Sequence, residues 1–203
     1  MSLLIDPPWP LGQTLGVSSL TDGTGWVGVV KQFPDVNPIT GAIRSNRIKT
    51  CVAVRNVATI ALAPKRVVVF ATAAGLGGLS TVIGYASVLN AEHVGVVDEF
   101  LPTAGVAIND VFWVVVDGPT EVAGLVYGTP AIAAGDRIAA VSAAASTGLT
   151  AGRVGPSLLS AASTAAGDAG LGVIGYAMSA SSTSATTLTT GLGTPLCLVS
   201  TKY

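Results

Sequence analysis

Short runs rich in valine and isoleucine, broken at close intervals by Gly, Pro, Asn and Asp, dominate the first two thirds of the sequence. β-branched residues favour strands and the breaking residues end them, so each run predicts one strand. No series of long amphipathic helices alternates with these runs, which argues against a doubly wound α/β sheet. We therefore expect an all-β fold: a β-sandwich or β-barrel-like body with an extended N-terminal arm and at most one or two short helices.

The strand predictions cover eleven segments. They are Trp26–Phe33, Cys51–Leu62, Arg66–Thr72, Thr81–Leu89, Val94–Leu101, Val111–Val116, Glu121–Tyr127, Arg137–Ser142, Leu171–Ala180, Ser184–Thr190 and Pro195–Ser200. Between the sixth and seventh segments lies Asp117-Gly118-Pro119-Thr120, whose first two residues favour a tight turn, so these two segments are predicted to form a hairpin. Val82–Ala86 and Val173–Ala177 have the same sequence, VIGYA, which predicts two strands with similar surroundings.

A chain of 203 residues can bury a core without disulfides or metals, and we expect one β-rich domain over residues 21–203 that could divide near residues 90–93. Residues 1–20 are predicted to form the arm, because Pro7, Pro8 and Pro10 surround Trp9 and keep the backbone extended. Such an arm could lie across a neighbouring subunit or be a disordered terminus.

The C-terminal part is poor in bulky side chains, since 28 of the 38 residues from Ser157 to Thr194 are Ser, Thr, Ala or Gly. A helix bundle needs a recurring stripe of large apolar residues, which this stretch lacks. Packed strands can be built from small residues, and one short helix over Ser157–Ala166, ended by Gly167, is compatible with the sequence.

Charge is scarce and unevenly distributed: 10% of the residues are charged, against about a quarter in ordinary soluble domains. A chain this uncharged would leave apolar patches of the kind that mark interaction sites. Residues 31–66 carry a net +6 and residues 67–203 a net −5. This asymmetry fits either docking between subunits or onto an acidic partner, or an ordinary solvated loop region. The basic segment has no nucleic-acid-binding motif, so no nucleic acid is expected as a partner.

Two cysteines, Cys51 and Cys197, are too few for a disulfide framework or a zinc site, and both are predicted to be buried apolar residues. The first residues lack a basic segment followed by an apolar run, so we expect synthesis in a reducing cytoplasm. Val67–Ala91 is uncharged over 25 residues, yet its glycines and polar residues favour two strands around a glycine turn over a membrane-spanning helix.

Candidate catalytic groups are few. The single histidine, His93, lacks evident partners for acid–base or metal chemistry, and no G-x-S-x-G motif occurs. Asp98 and Glu99 are neighbours in a predicted strand and would point to opposite faces, so they are interpreted as residues that make a strand edge hydrophilic. We therefore expect no catalytic, cofactor-binding or metal-binding residues.

One glycine-rich segment invites a different interpretation. Val67–Phe70 leads into Ala74-Gly75-Leu76-Gly77-Gly78, a strand and glycine turn of the kind found in dinucleotide sites. Ser80 stands where the third glycine of that motif belongs, and the surrounding sequence is not βαβ. A nucleotide-binding enzyme that uses the Gly75–Gly78 loop stays as the second alternative function.

From His93 onward the chain resembles head decoration, or cement, proteins of tailed bacteriophages and related small capsid accessory proteins. The resemblance rests on VGVVDEF, NDVFWVVVDGPTEV, PAIAAGDRIAAV, LGVIGYAMSA and the final PLCLVS. It implies a β-rich body, no active site and attachment to a protein lattice, often as a trimer. A long Ser/Thr run replaces the closing turn, and residues 1–66 have no counterpart in that family.

The functional hypothesis is accordingly a virion structural protein: a capsid decoration subunit that stabilises the head by binding the lattice of the major capsid protein. The expected partners are that protein and copies of this chain, as a homotrimer or another oligomer, with no membrane partner and no cofactor. The expected location is the capsid surface of the virion. The first alternative is a self-assembling shell or fibre subunit, such as a small major capsid protein.

Overall fold

The computed structural model describes residues 9–16, 26–72, 80–86, 93–124, 132–140, 152–156, 173–181 and 194–201. Ten strands lie in these ranges. They are β1 (Val30–Val36), β2 (Ile43–Asn56), β3 (Val67–Phe70), β4 (Thr81–Tyr85), β5 (Val94–Val97), β6 (Val111–Glu121), β7 (Arg137–Ala140), β8 (Val154–Pro156), β9 (Val173–Ala177) and β10 (Leu196–Ser200). No α-helix occurs in the described ranges. The predicted all-β body is confirmed.

Five of the strands close into a ring. The sheet runs in the order β1-β2-β4-β3-β5-β6-β10-β9-β7-β8, and β2 also pairs with β6, which joins β2, β4, β3, β5 and β6 in a circle. Only the β2–β4 pairing in this circle is parallel. Closure removes free edges from the ring. The other strands extend the sheet outside the ring: β1 pairs with β2, and β10, β9, β7 and β8 follow β6 in that order, so β1 and β8 are the end strands.

Alternate residues of the ring strands supply two different cores, because successive side chains on a strand point to opposite faces. One set gathers residues from all five ring strands and therefore fills the interior: Val52, Val54, Val68, Phe70, Val82, Val97, Phe112, Val114 and Val116. The intervening residues face outward and pack beneath side chains of β7 to β10: Cys51, Ala53, Val67, Val69, Val94, Val96, Val111, Trp113 and Val115. Burial on both faces explains why β3, β5 and the first part of β6 are nearly continuous apolar runs.

The predicted hairpin around Asp117-Gly118-Pro119-Thr120 is wrong, because these residues lie inside the single long strand β6. The first part of β6 pairs with β2 and β5, and its last part, from Asp117 to Glu121, pairs with β10. Gly118 has φ of 105°. A Cβ atom there would lie 2.5 Å from the carbonyl oxygen of Ile48, so the glycine permits a close crossing of β2 and not a turn.

Other strand predictions shift or are confirmed. The first strand begins at Val30 and not at Trp26, and β2 begins at Ile43, eight residues before the predicted start. Strands β3 and β4 are antiparallel neighbours, which confirms two strands within Val67–Ala91. The candidate helix over Ser157–Ala166 and the predicted strand Ser184–Thr190 lie outside the described residues. Within the described ranges no helix is long and apolar enough to span a membrane.

The two VIGYA segments form strands but not in similar surroundings. In β4, Ile83 is exposed and Tyr85 is half-buried against the interior core. In β9 the equivalent isoleucine, Ile174, is buried and Tyr176 is exposed. The two strands thus bury opposite sets of alternate residues. In β4 the buried residue is Val82, which precedes the isoleucine, whereas in β9 it is the isoleucine itself, Ile174.

Residues 9–16, hereafter the strap, lie on the outer face of the ring of their own chain. Trp9 and Leu11 are buried in the outer core, and Leu15 forms an isolated antiparallel bridge with Val111 at the start of β6. The predicted arm thus has a packed part in the described ranges. Residues 1–8 and 17–20 of that predicted arm lie outside them.

Candidate functional site

A cluster of six charged side chains, hereafter the charge cluster, joins the β1–β2 hairpin to the ring. Its centre is Arg44, near the start of β2. The guanidinium donates to both carboxylate oxygens of Glu99 at 2.7 Å, and to one oxygen of Asp35 at 2.6 and 3.1 Å. Lys49, five residues further along β2, places its Nζ 2.7 Å from Glu99 and 3.3 Å from Asp35. Lys65 and Glu121 complete the cluster with a 2.6 Å ion pair.

The charges of this cluster balance, with three cations against three carboxylates. Asp35 and Glu99 are buried, and Lys49 is buried with them. Burial alone would raise the pKa of Asp35, but hydrogen bonds from Arg44 and Ser45 and the charge of Lys49 hold it below the usual range. Burial also acts to raise the pKa of Glu121, but the hydrogen bond and the charge of Lys65 outweigh it, so the pKa of Glu121 is lowered. Asp35 and Glu121 therefore stay ionised near neutral pH.

Further hydrogen bonds satisfy Glu99. Its carboxylate accepts from the backbone N–H of Glu121 at 3.1 Å and from the Thr120 hydroxyl at 3.4 Å. Removal of one partner from a buried ion pair is strongly destabilising. The charge cluster thus links β2, the turn after β5 and β6, which is a structural role.

The placement of Asp98 and Glu99 corrects the prediction made for them. Strand β5 ends at Val97, and both acids follow it in a buried turn instead of marking a hydrophilic strand edge. Asp98 accepts from the backbone N–H groups of Gly12 in the strap and of Phe100. Burial raises the pKa of Asp98 to about 6, although these two N–H groups act in the opposite direction. The two carboxylates have different partners and do not form an acid–base pair.

The basic segment is also corrected in part. Arg44, Lys49 and Lys65, three of its seven cations, pair with acids of the same chain, and two of those acids come from the acidic part of the sequence. These cations lie in and around a strand that packs on the ring, so a solvated loop is the wrong description for them. The charge asymmetry of the sequence is therefore partly neutralised within the fold.

His93 lies directly before β5 with a φ of 58°, and its carbonyl accepts from the N–H of Phe70 at 2.9 Å. Its Nδ1 atom is buried and has no hydrogen-bond partner among the described residues. In the same ranges no group of three or more His, Cys, Asp or Glu side chains could hold a metal ion. Cys51 and Cys197 are buried and unpaired, and burial raises the pKa of Cys197 to about 12.

Gly75, Gly77 and Gly78 of the glycine-rich segment lie outside the described residues. The strands that flank it are described. Strand β3 is followed by β4 as its antiparallel neighbour, whereas a dinucleotide site requires a helical crossover to a parallel strand. The strand context of this motif is therefore not that of a dinucleotide fold.

Among the described residues, the most exposed large apolar side chains lie on the β1–β2 hairpin. Ile39 in its turn is 79% exposed, Ile43 71% and Ile48 56%. Ile48 pairs directly with Pro34, so both point to the same side as Val30, which is also exposed. The other side of the hairpin carries Phe33, Asp35 and Lys49 and is buried against the ring. One face thus anchors the hairpin, and the opposite face and the tip leave large apolar groups in solvent.

A second exposed apolar surface lies at the other end of β2, where Ile60 and Ile108 stand on two loops. Asn56, the buried last residue of β2, holds these loops together. Its side-chain amide donates to the carbonyls of Ile60, Val106 and Ala107 at 3.1 to 3.2 Å, and its oxygen accepts from the N–H of Ala58 at 3.0 Å. The side chain of Asn56 therefore holds both loops by hydrogen bonds.

Neither the charge cluster nor the Asn56 network was predicted from the sequence. Their partners are about 50 residues apart, as in Arg44 with Glu99 and Asn56 with Val106, so only the sheet pairing brings them together. The one available signal was the presence of Asp35 as the lone acid in a basic segment. Comparison with protein-family models, with curated proteins and with solved structures finds no match for this chain.

Proposed function

We propose that the chain is a virion structural protein, a capsid decoration subunit that binds the lattice of the major capsid protein. The observation that carries this proposal is the β1–β2 hairpin, where Ile39, Ile43 and Ile48 are exposed on an element whose other face is fixed by buried ion pairs. Isolated exposed apolar residues are common, but several on one anchored element are typical of a binding surface. The resemblance to phage cement proteins in the C-terminal half of the sequence supports the same function.

Rigidity of the hairpin favours binding. The bidentate pair between Arg44 and Glu99 and the buried Lys49 limit movement of β1 and β2, so little conformational entropy is lost when the hairpin docks. A single hairpin buries a modest area. Many copies on one shell would turn modest contacts into strong attachment, which is the physical requirement of a cement protein.

The self-assembling shell or fibre subunit is the second candidate, and one observation favours it. Ile43 stands at the first residue of β2 and the Ile60–Ile108 surface lies beside its last residue, Asn56. Fourteen strand residues span about 45 Å, so the two exposed apolar surfaces lie at opposite ends of a long element. Head-to-tail association joins two different surfaces of the same subunit, one at each end.

Sizing separates the two candidates. The purified chain is run alone over a range of concentrations, and then after mixing with empty heads that lack decoration. A decoration subunit stays a monomer or small oligomer alone and co-elutes with heads, whereas a shell subunit polymerises without heads. A freely soluble monomer that neither polymerises nor binds heads would contradict both.

The hairpin is tested with Ile43→Ser and Ile48→Ser in one chain. The matched control is Ile83→Ser, which replaces a similarly exposed isoleucine on β4. Binding to heads should fall at least tenfold for the hairpin variant and stay unchanged for the control, with equal melting temperatures. Equal binding by both variants would remove the hairpin from the proposal.

A further inference from the structure

Lys49, Asp35 and Glu99 meet in the part of the charge cluster that is shielded from solvent. Their side chains are 1%, 0% and 2% exposed. The ring centre of Phe100 lies 4.9 Å from the Lys49 Nζ atom and covers it. A lysine is almost never buried so completely without a partner. An amine and two carboxylates, which can exchange protons and form a bond, are therefore enclosed in one site.

An irregularity of the β1–β2 ladder positions Asp35 in this site. Pro34 pairs with Ile48, and the next pair is Val36 with Ile43, so Asp35 has no partner in the ladder and faces residues 44–47 of β2. Such bulges redirect side chains and are common next to reactive sites. Here the bulge brings donors to both carboxylate oxygens. Arg44 donates to Oδ1 at 2.6 and 3.1 Å, and the Ser45 hydroxyl donates to Oδ2 at 2.8 Å.

The ammonium group of Lys49 has a different relationship with each carboxylate. Nζ donates a hydrogen bond to Glu99 Oε1 at 2.7 Å. The distance from Nζ to Asp35 Oδ1 is 3.3 Å, which is an ion-pair contact. Groups that are positioned to react are typically about 3–3.5 Å apart. Lys49 thus has a proton acceptor at hydrogen-bond distance and a second carboxyl group at the distance from which an amine can attack.

We propose that Lys49 and Asp35 condense to an amide bond, with Glu99 as the group that transfers the proton, so that β1 and β2 become covalently linked. Neutral groups of similar volume are often more stable than a buried ion pair, because burial removes the hydration of both charges. Condensation eliminates one buried cation and one buried anion. The pairs of Arg44 with Glu99 and of Lys65 with Glu121 remain, so the cluster stays balanced in charge.

The reaction needs no other reagent. Lys49 Nζ passes a proton through Glu99 to Oδ2 of Asp35, which leaves a neutral amine beside a carboxylic acid. The nitrogen lone pair attacks Cγ, the C–N bond forms, and the electron pair of the C=O bond moves to Oδ1, where Arg44 stabilises the negative charge. A second proton from Nζ joins Oδ2, the C–O bond breaks and water leaves. The C=O bond forms again, and Glu99 ends in its original ionised state.

The bond would close a covalent loop from residue 35 to residue 49 within the β1–β2 hairpin. A cross-link of this kind restricts the unfolded chain as a disulfide does, but a reducing environment does not break it. It would fix the element whose opposite face carries the exposed isoleucines. The inference does not rest on the proposed function, because the bond is measured in the purified chain without any partner.

The intact mass of the natural full-length chain, reduced and denatured after purification, tests the bond. After allowance for removal of Met1, the mass should be lower than that of the sequence by one water molecule. Trypsin does not cut after an acylated lysine, so digestion should give a branched peptide in which residues 32–44 are joined to residues 48–55. Fragmentation should place the link at Asp35 and Lys49. The full sequence mass, with ordinary cleavage after Lys49, would overturn the inference.

Two lysine variants assign the loss of water to one site. Lys49→Arg keeps the positive charge without an amine, so its chain should have the full mass. Lys65→Arg makes the same change at the other lysine of the charge cluster, whose side chain is 29% exposed, and its chain should still lose one water molecule. Loss of water from the Lys49→Arg chain at the natural level would overturn the inference, and this outcome is read from mass alone.

Glu99→Gln tests the proton transfer. Glutamine keeps a hydrogen-bond acceptor near Lys49 but does not carry the proton, so the linked fraction should fall at least tenfold in chains whose circular dichroism shows the native strand content. A linked fraction equal to that of the natural chain would overturn the role of Glu99. The mass of the natural chain decides whether the bond exists even if this variant does not fold.

Discussion

Arg44 and Glu99 form a two-pronged ion pair, with both N–O distances at 2.7 Å, although 55 positions separate them in the sequence. The pair fixes the start of β2 to the turn after β5. It also places Phe100 beneath two cations, since the Arg44 guanidinium lies 5.4 Å and the Lys49 ammonium 4.9 Å from its ring centre. Glu99 therefore helps to fix the position of the β1–β2 hairpin, together with Asp35.

Removal of that carboxylate's charge should destabilise the fold strongly. Glu99→Gln keeps the shape but leaves Lys49 buried with a weakened partner, and loss of one member of a buried pair typically costs about 3–5 kcal/mol. The free energy of unfolding in urea measures the effect. Arg47→Gln, which removes an exposed charge from the same hairpin, should change it by less than about 0.5 kcal/mol. Equal free energies of unfolding for the two variants would show that the charge cluster does not stabilise the fold.

The pH dependence of stability should reveal Asp98. Its pKa in the fold is about 6, above the ordinary 3.8, so the folded state binds the proton more tightly than the unfolded state. The resulting stability is fully present below pH 4 and is lost as the pH rises through 6. Between pH 7 and pH 5 the chain should therefore gain about 1 kcal/mol, seen as a higher melting temperature.

Asp98→Asn should remove this gain. Both chains are measured in a His93→Asn background, so that no imidazole is present, and asparagine tolerates the positive φ at position 93. Asp35 and Glu121 have lowered pKa values and lose their stabilisation only in more acidic solution. A melting temperature that rises equally in both chains would assign the effect to another group.

Gly118 should tolerate no side chain. Gly118→Ala places a methyl group 2.5 Å from the Ile48 carbonyl oxygen in a backbone with φ of 105°, and strain plus overpacking predict a loss of about 2–5 kcal/mol. Gly41→Ala is the control, because Gly41 also has positive φ but open space around it. That variant should lose only about 1–2 kcal/mol. Thermal unfolding of both chains decides, and equal losses would mean that the close crossing of β2 and β6 is unimportant.

The side chain of Asn56 should contribute strongly to the stability of the fold, because it makes four hydrogen bonds. Asn56→Ala leaves three carbonyls and the N–H of Ala58 without their side-chain partner, for which we expect a loss of about 2–4 kcal/mol. Asn46→Ala, on an exposed part of β2, should be neutral within about 0.5 kcal/mol. Chemical denaturation measures both variants. A neutral Asn56→Ala would imply that the loops of Ile60 and Ile108 are held by other means.

The strand content could be predicted because several ring strands, among them β3 and the first part of β6, are buried on both faces. Val67–Phe70 and Val111–Val116 are continuous apolar runs for that reason, and such runs are visible in a sequence without knowledge of their partners. The strand prediction failed where a local sequence pattern was compatible with two different structures. Asp117-Gly118 is a strong turn signal, but here the glycine serves a close strand crossing.

The candidate surfaces could not be predicted in the same way. Whether Ile43 is buried or exposed depends on where β2 extends beyond β6, which is a property of register and not of composition. The same holds for Arg44 and Lys49, whose partners are fixed only when the sheet closes. The low charge content predicts exposed apolar surface, but it does not indicate where on the fold that surface lies.

The double burial of β6 also has a kinetic consequence. To expose its backbone amides to water, the interior core around Phe112 and the outer core around Trp113 must both separate. Amide hydrogens of Val114 and Val115 should therefore exchange with deuterium only through global unfolding, whereas those of the exposed hairpin tip exchange through local opening. Strand β6 should consequently exchange more slowly than the tip of the hairpin that is proposed for docking.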